Sequence, residues 1–202
     1  MDEVTSTSTV YESNSEAFVE KYRSESVAAR FGDDFYTELS GKRVLDVGCG
    51  PGADTETFSS DGFDVVGFDL TASFIETAHA TVPDASFVRG DMRRLPFRDE
   101  TFDGVWSCAS FLHVPRANAP ETLREFRRVL APEGVAYLSL KHGETSGYDH
   151  DGRYFERYLP EEIRSLLADA GFSSIDIDTM NVDGGNKWLN ILASIDSRTS
   201  PV

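Results

Sequence analysis

Residues 44–55 read Val-Leu-Asp-Val-Gly-Cys-Gly-Pro-Gly-Ala-Asp-Thr, and no other stretch limits the fold of this chain as much. An apolar run carries an acid, three glycines alternate with Cys49 and Pro51, and a helix-compatible segment follows. The pattern predicts a buried parallel strand, a tight turn and a helix start. Glycine at alternate positions allows positive φ and lets a ligand approach the main chain closely. The first N–H groups of a helix have no partner within it, so they are expected to point free into the same space. Such a turn binds a nucleotide-like ligand.

Strands and helices alternate around it. Residues 1–12 are polar, Ser/Thr-rich and expected to be loose, and Ser13 with Glu16 forms a capping-box pattern for a helix running to about Phe31. Gly32-Asp33-Asp34 breaks it, and a second short helix reaches Leu39. Beyond the turn, a helix over Ala53–Ser60 leads to a strand over Asp64–Asp69. Thr71 caps the next helix, and a third strand, about Ala85–Arg89, runs into Gly90-Asp91-Met92. Phe102–Ser107 is the fourth strand. A helix starting at Asn118, Pro120 and Glu121 places Leu123, Phe126 and Leu130 on one face, and Val135–Leu140 is the fifth strand. Residues 143–158 are a polar loop with an aromatic cluster, and a helix over Pro160–Ala170 stops at Gly171. Two closing strands, Phe172–Thr179 and Lys187–Ile195, are joined at Gly184-Gly185. Ile175 and Ile177 alternate with Asp176 and Asp178, so the first of the two is peripheral with one wet face. The order predicts an α/β fold with a mostly parallel sheet and one antiparallel strand near the C-terminus.

The 35 acidic residues face only 19 basic ones, for a net charge of −16, and just four of the basic residues are lysines. One reading is an acid-coated surface adapted to high salt, as in a halophilic source; an ordinary acidic protein is the other. Either way no basic stripe suits nucleic acid. No window has the apolar length of a membrane span, and the acidic start lacks the regions of a signal peptide. Cys49 and Cys108 form no CxxC, so neither a disulfide framework nor a metal site is expected. A cytoplasmic monomer or homodimer is the expectation.

Gly48-Cys49-Gly50-Pro51-Gly52-Ala53 satisfies the loose GxGxxG/A pattern, and Asp69 sits at the distance of a ribose acid, so a nicotinamide cofactor stays open on this count. Asp46 argues otherwise: an anion beside the turn opposes a pyrophosphate and welcomes a cation. Asp91 adds an acceptor at the carboxyl edge of the sheet, and no Gly-Lys-Ser/Thr follows the glycines. A ligand combining adenosine with a positively charged tail fits this set. VLDVGCGPG, VVGFDLT, VRGDMRRLPF, FDGVWSCASFLHV and LREFRRVLAPEGVAYLSL, over about residues 40–141, resemble in order and spacing the motifs of class I S-adenosylmethionine-dependent methyltransferases. They are most similar to the small-molecule group that includes the ubiquinone/menaquinone biosynthesis type.

The resemblance implies a Rossmann-like three-layer sandwich with a seven-stranded sheet. Residues 41–195 would form the methyltransferase domain, 1–40 a helical segment that is a lid or a plain packing element, and 196–202 a loose tail. S-adenosylmethionine is the implied cofactor, with no metal and a small-molecule acceptor. Gly48, Cys49 and Gly50 would line the methionine part, with Asp46 holding the turn or the ammonium through water. Asp69 would take the ribose hydroxyls, and Leu70 and Phe74 would flank adenine. Gly90, Asp91 and Met92 would receive the adenine edge, and Cys108 and Ala109 would lie near the sulfonium. By themselves Asp69 also reads as a helix N-terminal charge and Asp91 as a turn cap.

Methyl transfer needs alignment and exclusion of water, and a base only where the acceptor must lose a proton. His113, after the fourth strand, is the candidate base; a structural histidine at a helix entry is an equal reading. Lys141 and His142 border the same region and suit an anionic acceptor, unless Lys141 merely pairs with a surface acid. Tyr22, Arg23, Tyr154, Phe155, Tyr158 and Trp188 complete the expected acceptor pocket. No Asn-Pro-Pro-Tyr or Asp-Pro-Pro-Tyr signature of amino-methylating nucleic-acid enzymes occurs; the segment is Ser107-Cys108-Ala109-Ser110, with Cys108 read as a small buried thiol. Two alternatives stand beside the methyltransferase: a non-catalytic protein binding S-adenosylmethionine or S-adenosylhomocysteine, and a nicotinamide-dependent oxidoreductase.

Overall fold

A computed structural model describes residues 2–182 and 186–195 of the chain. The expected Gly184-Gly185 turn and the expected tail at 196–202 lie outside the described residues. Four helices precede the first strand: α1 (Glu3–Ser13), α2 (Ser15–Arg23), α3 (Ala28–Phe31) and α4 (Asp33–Glu38). Residues 2–12, expected to be loose, are therefore ordered as a capped helix. Asp2 caps α1, its carboxylate accepting the Thr5 N–H at 2.8 Å. The single helix expected from Ser13 to Phe31 is broken after Ser13 and again after Arg23. Asn14 ends α1 by donating its amide to the Val10 carbonyl at 3.1 Å, and no side chain caps α2, so the Ser13/Glu16 capping box does not form.

The main sheet contains β1 (Arg43–Val47), β2 (Asp64–Asp69), β3 (Ser86–Arg89), β4 (Phe102–Cys108), β5 (Leu130–Lys141), β8 (Ser174–Val182) and β9 (Asn186–Ser194). Between β5 and β8, β6 (Gly147–Tyr148) and β7 (Tyr154–Phe155) make a small hairpin inside the polar loop. The crossover helices are α5 (Ala53–Ser60), α6 (Ala72–Thr81), α7 (Ala119–Val129) and α8 (Pro160–Ala170). Strand order is β3-β2-β1-β4-β5-β9-β8. β9 runs antiparallel to both neighbours, and β8 is the edge, with Asp176 and Asp178 exposed, as the alternation predicts. Leu130, expected on a helix face, instead opens β5 and pairs with Phe102.

Two cores follow from the period-two alternation of the strands. Leu45, Val47, Val105 and Leu138 meet Leu123 and Phe126 of α7 and Ile163 and Leu167 of α8 on one face. Val44, Val65, Trp106 and Val135 meet Ala28, Phe35 and Phe58 on the other. Burying a ring such as Phe35 contributes roughly 2 kcal/mol, so α3 and α4 belong to the sandwich itself. Only α1 and α2 remain to cover the sheet's edge. The chain winds outward from β1 to β3 and in the opposite sense from β4 onward, and the diverging connections leave a crevice over the carboxyl ends of β1 and β4.

Candidate active site

A cleft of about 540 Å³ fills that crevice, with the ends of β1, β2, β4 and β5 beneath it and residues of α1 and α2 above. The glycine turn forms one wall. Gly48, Gly50 and Gly52 have φ of 73°, 53° and 90°, the left-handed region that a side chain resists. A Cβ on Gly48 would stand 2.1 Å from that of Ser110, whereas Gly50 faces open space. The N–H groups of the turn that precedes α5 are engaged within the protein. Those of Gly48 and Cys49 donate to the Phe68 carbonyl at 2.7 and 3.2 Å, and that of Gly52 donates to the Cys49 carbonyl at 3.0 Å. The Gly50 N–H goes to Asp69 at 3.0 Å, and Pro51 has none. Residues 48–52 themselves therefore offer a phosphate little to bind.

Carboxylates dominate the same wall. Asp46 is 2% exposed, and its Oδ2 accepts the Thr55 hydroxyl at 2.6 Å. Burial, then the charges of Asp54 and Asp69, push its carboxyl well above the usual range despite that bond. Asp54 accepts from the Ser26 hydroxyl, the Ala28 N–H and the Trp106 indole N–H at 2.8 to 2.9 Å. Asp69 accepts from the Gly50 and Thr71 N–H groups at 3.0 and 2.7 Å, and burial raises its pKa. Thr71 sits at the N-cap of α6, but its side chain makes no capping bond. All three acids are bonded to neutral donors, and among the described residues none has a cationic partner. Asp91 differs: Arg93 grips both its oxygens at 2.6 to 3.1 Å and reaches Asp2 at 2.7 Å. Asp91 also accepts the Arg93 N–H, which is the turn-cap geometry. Cys49 and Cys108 border the cleft, and burial pushes both thiols far from the reactive range.

All twelve residues expected on the cofactor side line this cleft, including Leu70, Phe74, Gly90, Met92 and Ala109. Ala109 has φ 51°, a strained non-glycine conformation at the end of β4. His113 also lines it. Its Nδ1 lies 2.5 Å from the Tyr154 carbonyl, which can only accept, so Nδ1 carries the proton and Nε2 accepts the Tyr11 hydroxyl at 2.9 Å. Burial, with the charges of Arg153 and Lys141, lowers its pKa to about 4 against the pull of the Tyr154 carbonyl.

Of the expected acceptor residues, Tyr22, Lys141, Phe155 and Trp188 line the cleft. Four others do not. Arg23 turns outward to pair with Glu56 at 2.9 Å. His142 is held through its backbone N–H on the Lys187 carbonyl. Tyr154 points its hydroxyl to Glu156 at 2.6 Å, and Tyr158 is buried beneath Arg116. The alternation of β7 decides this: Phe155 faces in, so Tyr154 faces out. Asp54, Thr55, Tyr11, Lys21 and Arg153 were missed. Asp54 and Thr55 lie in the first turn of α5, and the other three come from segments far from the glycine turn in sequence.

Fold and site together give a doubly wound sheet with a carboxylate-lined cleft at its switch point. The family described as methyltransferase domain matches residues 44–134. A demethylmenaquinone methyltransferase of Renibacterium salmoninarum is 37% identical over 176 residues, which are 73% of this chain and 72% of that protein. A fatty-acid O-methyltransferase of Mycolicibacterium smegmatis is 32% identical over 174 residues, 81% of this chain but only 57% of that protein. A solved structure of 1,6-didemethyltoxoflavin-N1-methyltransferase from Burkholderia thailandensis, with bound 1,6-didemethyltoxoflavin and S-adenosylhomocysteine, matches with a TM-score of 0.77. Its identity is 21%, and the match covers 98% of this chain and 92% of that one. The chain belongs to the class I S-adenosylmethionine-dependent methyltransferases.

Proposed function

We propose that the protein transfers a methyl group from S-adenosylmethionine to a small-molecule acceptor lying beneath α1 and α2. One observation carries this reading: Asp46, Asp54 and Asp69 share a cleft wall with no cationic partner among the described residues, next to a turn whose N–H groups are spent. That wall repels a pyrophosphate and attracts a positively charged ligand. When bound, the cofactor supplies an electrophilic methyl group on a sulfonium. Asp69 keeps lone pairs beyond its two N–H bonds and accepts the ribose hydroxyls. Asp46, coupled to Thr55, faces the charged amino-acid tail. Leu70, Phe74 and Met92 wall the adenine, and Asp91 receives its amino group on the lone pairs that Arg93 leaves. Cys108 and Ala109 border the reacting methyl, and α1 with α2 act as the lid that excludes water.

His113 is neutral at working pH, but its Nε2 is occupied by Tyr11. We assign it to holding Tyr11 over the acceptor; as a base it acts only once Tyr11 turns away. Among the described residues no helix is long and apolar enough to cross a membrane, and two unpaired thiols suit a reducing, cytoplasmic setting. The similar proteins act on different acceptors, a demethylmenaquinone in one and a fatty acid in another, so the acceptor must be sought in this cleft. Incubation with methyl-labelled S-adenosylmethionine and a panel of phenols, amines and organic acids tests the reading. Acceptor-dependent formation of S-adenosylhomocysteine is the expected result. Tight binding of S-adenosylhomocysteine with no turnover on any acceptor would instead support a non-catalytic binding protein.

A further inference from the structure

The acceptor side of the cleft carries a charge that nothing in the cofactor reading uses. Only four lysines occur among 35 acidic residues, yet two of them, Lys21 and Lys141, line the cleft. Neither ammonium has an ion pair or hydrogen bond among the described residues. The Lys141 Nζ stands 3.3 Å over the centre of the Phe155 ring. The same ring has the Arg153 guanidinium at 5.3 Å and the His113 ring at 4.7 Å. Arg153 is already committed to Asp149 and to the Tyr22 hydroxyl at 2.7 and 2.9 Å. Burial, followed by the charges of Arg157 and Arg153, lowers the Lys141 pKa to about 8, so it stays largely charged at neutral pH. A half-buried ammonium among like charges is unfavourable until an anion joins it. Among the described residues no carboxylate forms an ion pair with Lys141, although Asp149 is near enough to act on its charge.

We propose that the methyl acceptor is an organic acid with an apolar body, its anionic oxygens on the Lys141 ammonium and its body against Phe155, Tyr22 and Trp188. Lys21 adds a second positive charge at the rim, opposed there by Glu25. The proposal rests on reading the cleft as a methyl-transfer site. It also accounts for an occupied His113, because an acceptor that arrives ionised needs no base.

The test is calorimetric titration of protein saturated with S-adenosylhomocysteine, at fixed ionic strength, with hexanoate and 2-naphthoate and with their amides. The acids are expected to bind about tenfold or more tightly than the amides. Lys141→Met should abolish that preference while leaving S-adenosylhomocysteine affinity unchanged and the melting temperature no lower, and Lys141→Arg should restore it. Acid affinity should also fall as pH rises through about 8 in the wild type but not in Lys141→Arg. The groups acting on Lys141 across that range are Arg153, Arg157, Lys21 and Asp149, with neutral His113 beside the shared ring. Equal binding of acids and amides, binding of neither, or an acid preference that survives Lys141→Met would overturn the proposal. Failure of the wild type to bind S-adenosylhomocysteine would instead remove the cofactor reading beneath it.

Discussion

Asp46 is the residue on which the cofactor wall turns. Burial and two neighbouring acids push its carboxyl well above the usual range, so ionising it here costs more than in water. A group with a raised folded pKa stabilises the fold below that pKa and loses this contribution as pH rises through it. Asp46→Asn removes the penalty and keeps an acceptor for Thr55. The variant should therefore melt higher, by roughly 1 kcal/mol of stability at neutral pH, and bind S-adenosylhomocysteine more weakly. A thermal melt paired with a binding titration checks both halves. Asp46, Asp69 and the glycines were legible in the sequence because they sit at or just after the ends of β1 and β2, whereas Asp54, inside α5, was not. Tyr11, Lys21 and Arg153 were not, because each reaches the cleft from a segment far from β1 in sequence. The state of the turn's N–H groups was also hidden: whether they are free depends on where the Phe68 carbonyl and Asp69 lie, which spacing does not reveal.

At the scale of elements, α1 shows where pattern reading runs out. Glu3–Ser13 contains six Ser/Thr residues after Val4, weak helix formers, and presents no apolar stripe. What holds it is a cap and a set of contacts from elsewhere: Asp2 to Arg93, the Thr7 hydroxyl to the Tyr154 N–H at 2.9 Å, and Tyr11 to His113. By contrast α5, β2 and α8 lie within the predicted bounds, because buried strands and glycine stops are local signals. Arg93→Ala should free Asp91 and cut the tie to Asp2. Hydrogen exchange over residues 3–13 should then accelerate while β1, β4 and β5 keep their protection. Unchanged exchange in α1 would mean that Arg93 does not secure this cover. If α1 does shield the cleft, the same variant should turn over its acceptor more slowly without losing S-adenosylhomocysteine binding.

Across the whole molecule, a net charge of −16 spreads repulsion over a chain of 202 residues. Screening at high ionic strength reduces that repulsion, so the melting temperature should rise steadily between low and molar potassium chloride. A flat response would leave the acidity without a role in stability. The mostly parallel sheet and the single reversed strand were readable from the alternation of elements, since parallel strands need crossover helices and the closing pair does not. The central claim is that this doubly wound sheet holds an adenosine ligand with a cationic tail rather than a dinucleotide. Calorimetric titration with S-adenosylhomocysteine and, separately, with NADH tests it most directly, in high salt, on wild type and on Asp69→Ala with folding confirmed by its melt. The account predicts saturable binding of S-adenosylhomocysteine to the wild type, weaker by about tenfold or more in the variant, and no NADH binding. Binding of NADH, or no binding of S-adenosylhomocysteine by folded wild type, would contradict it.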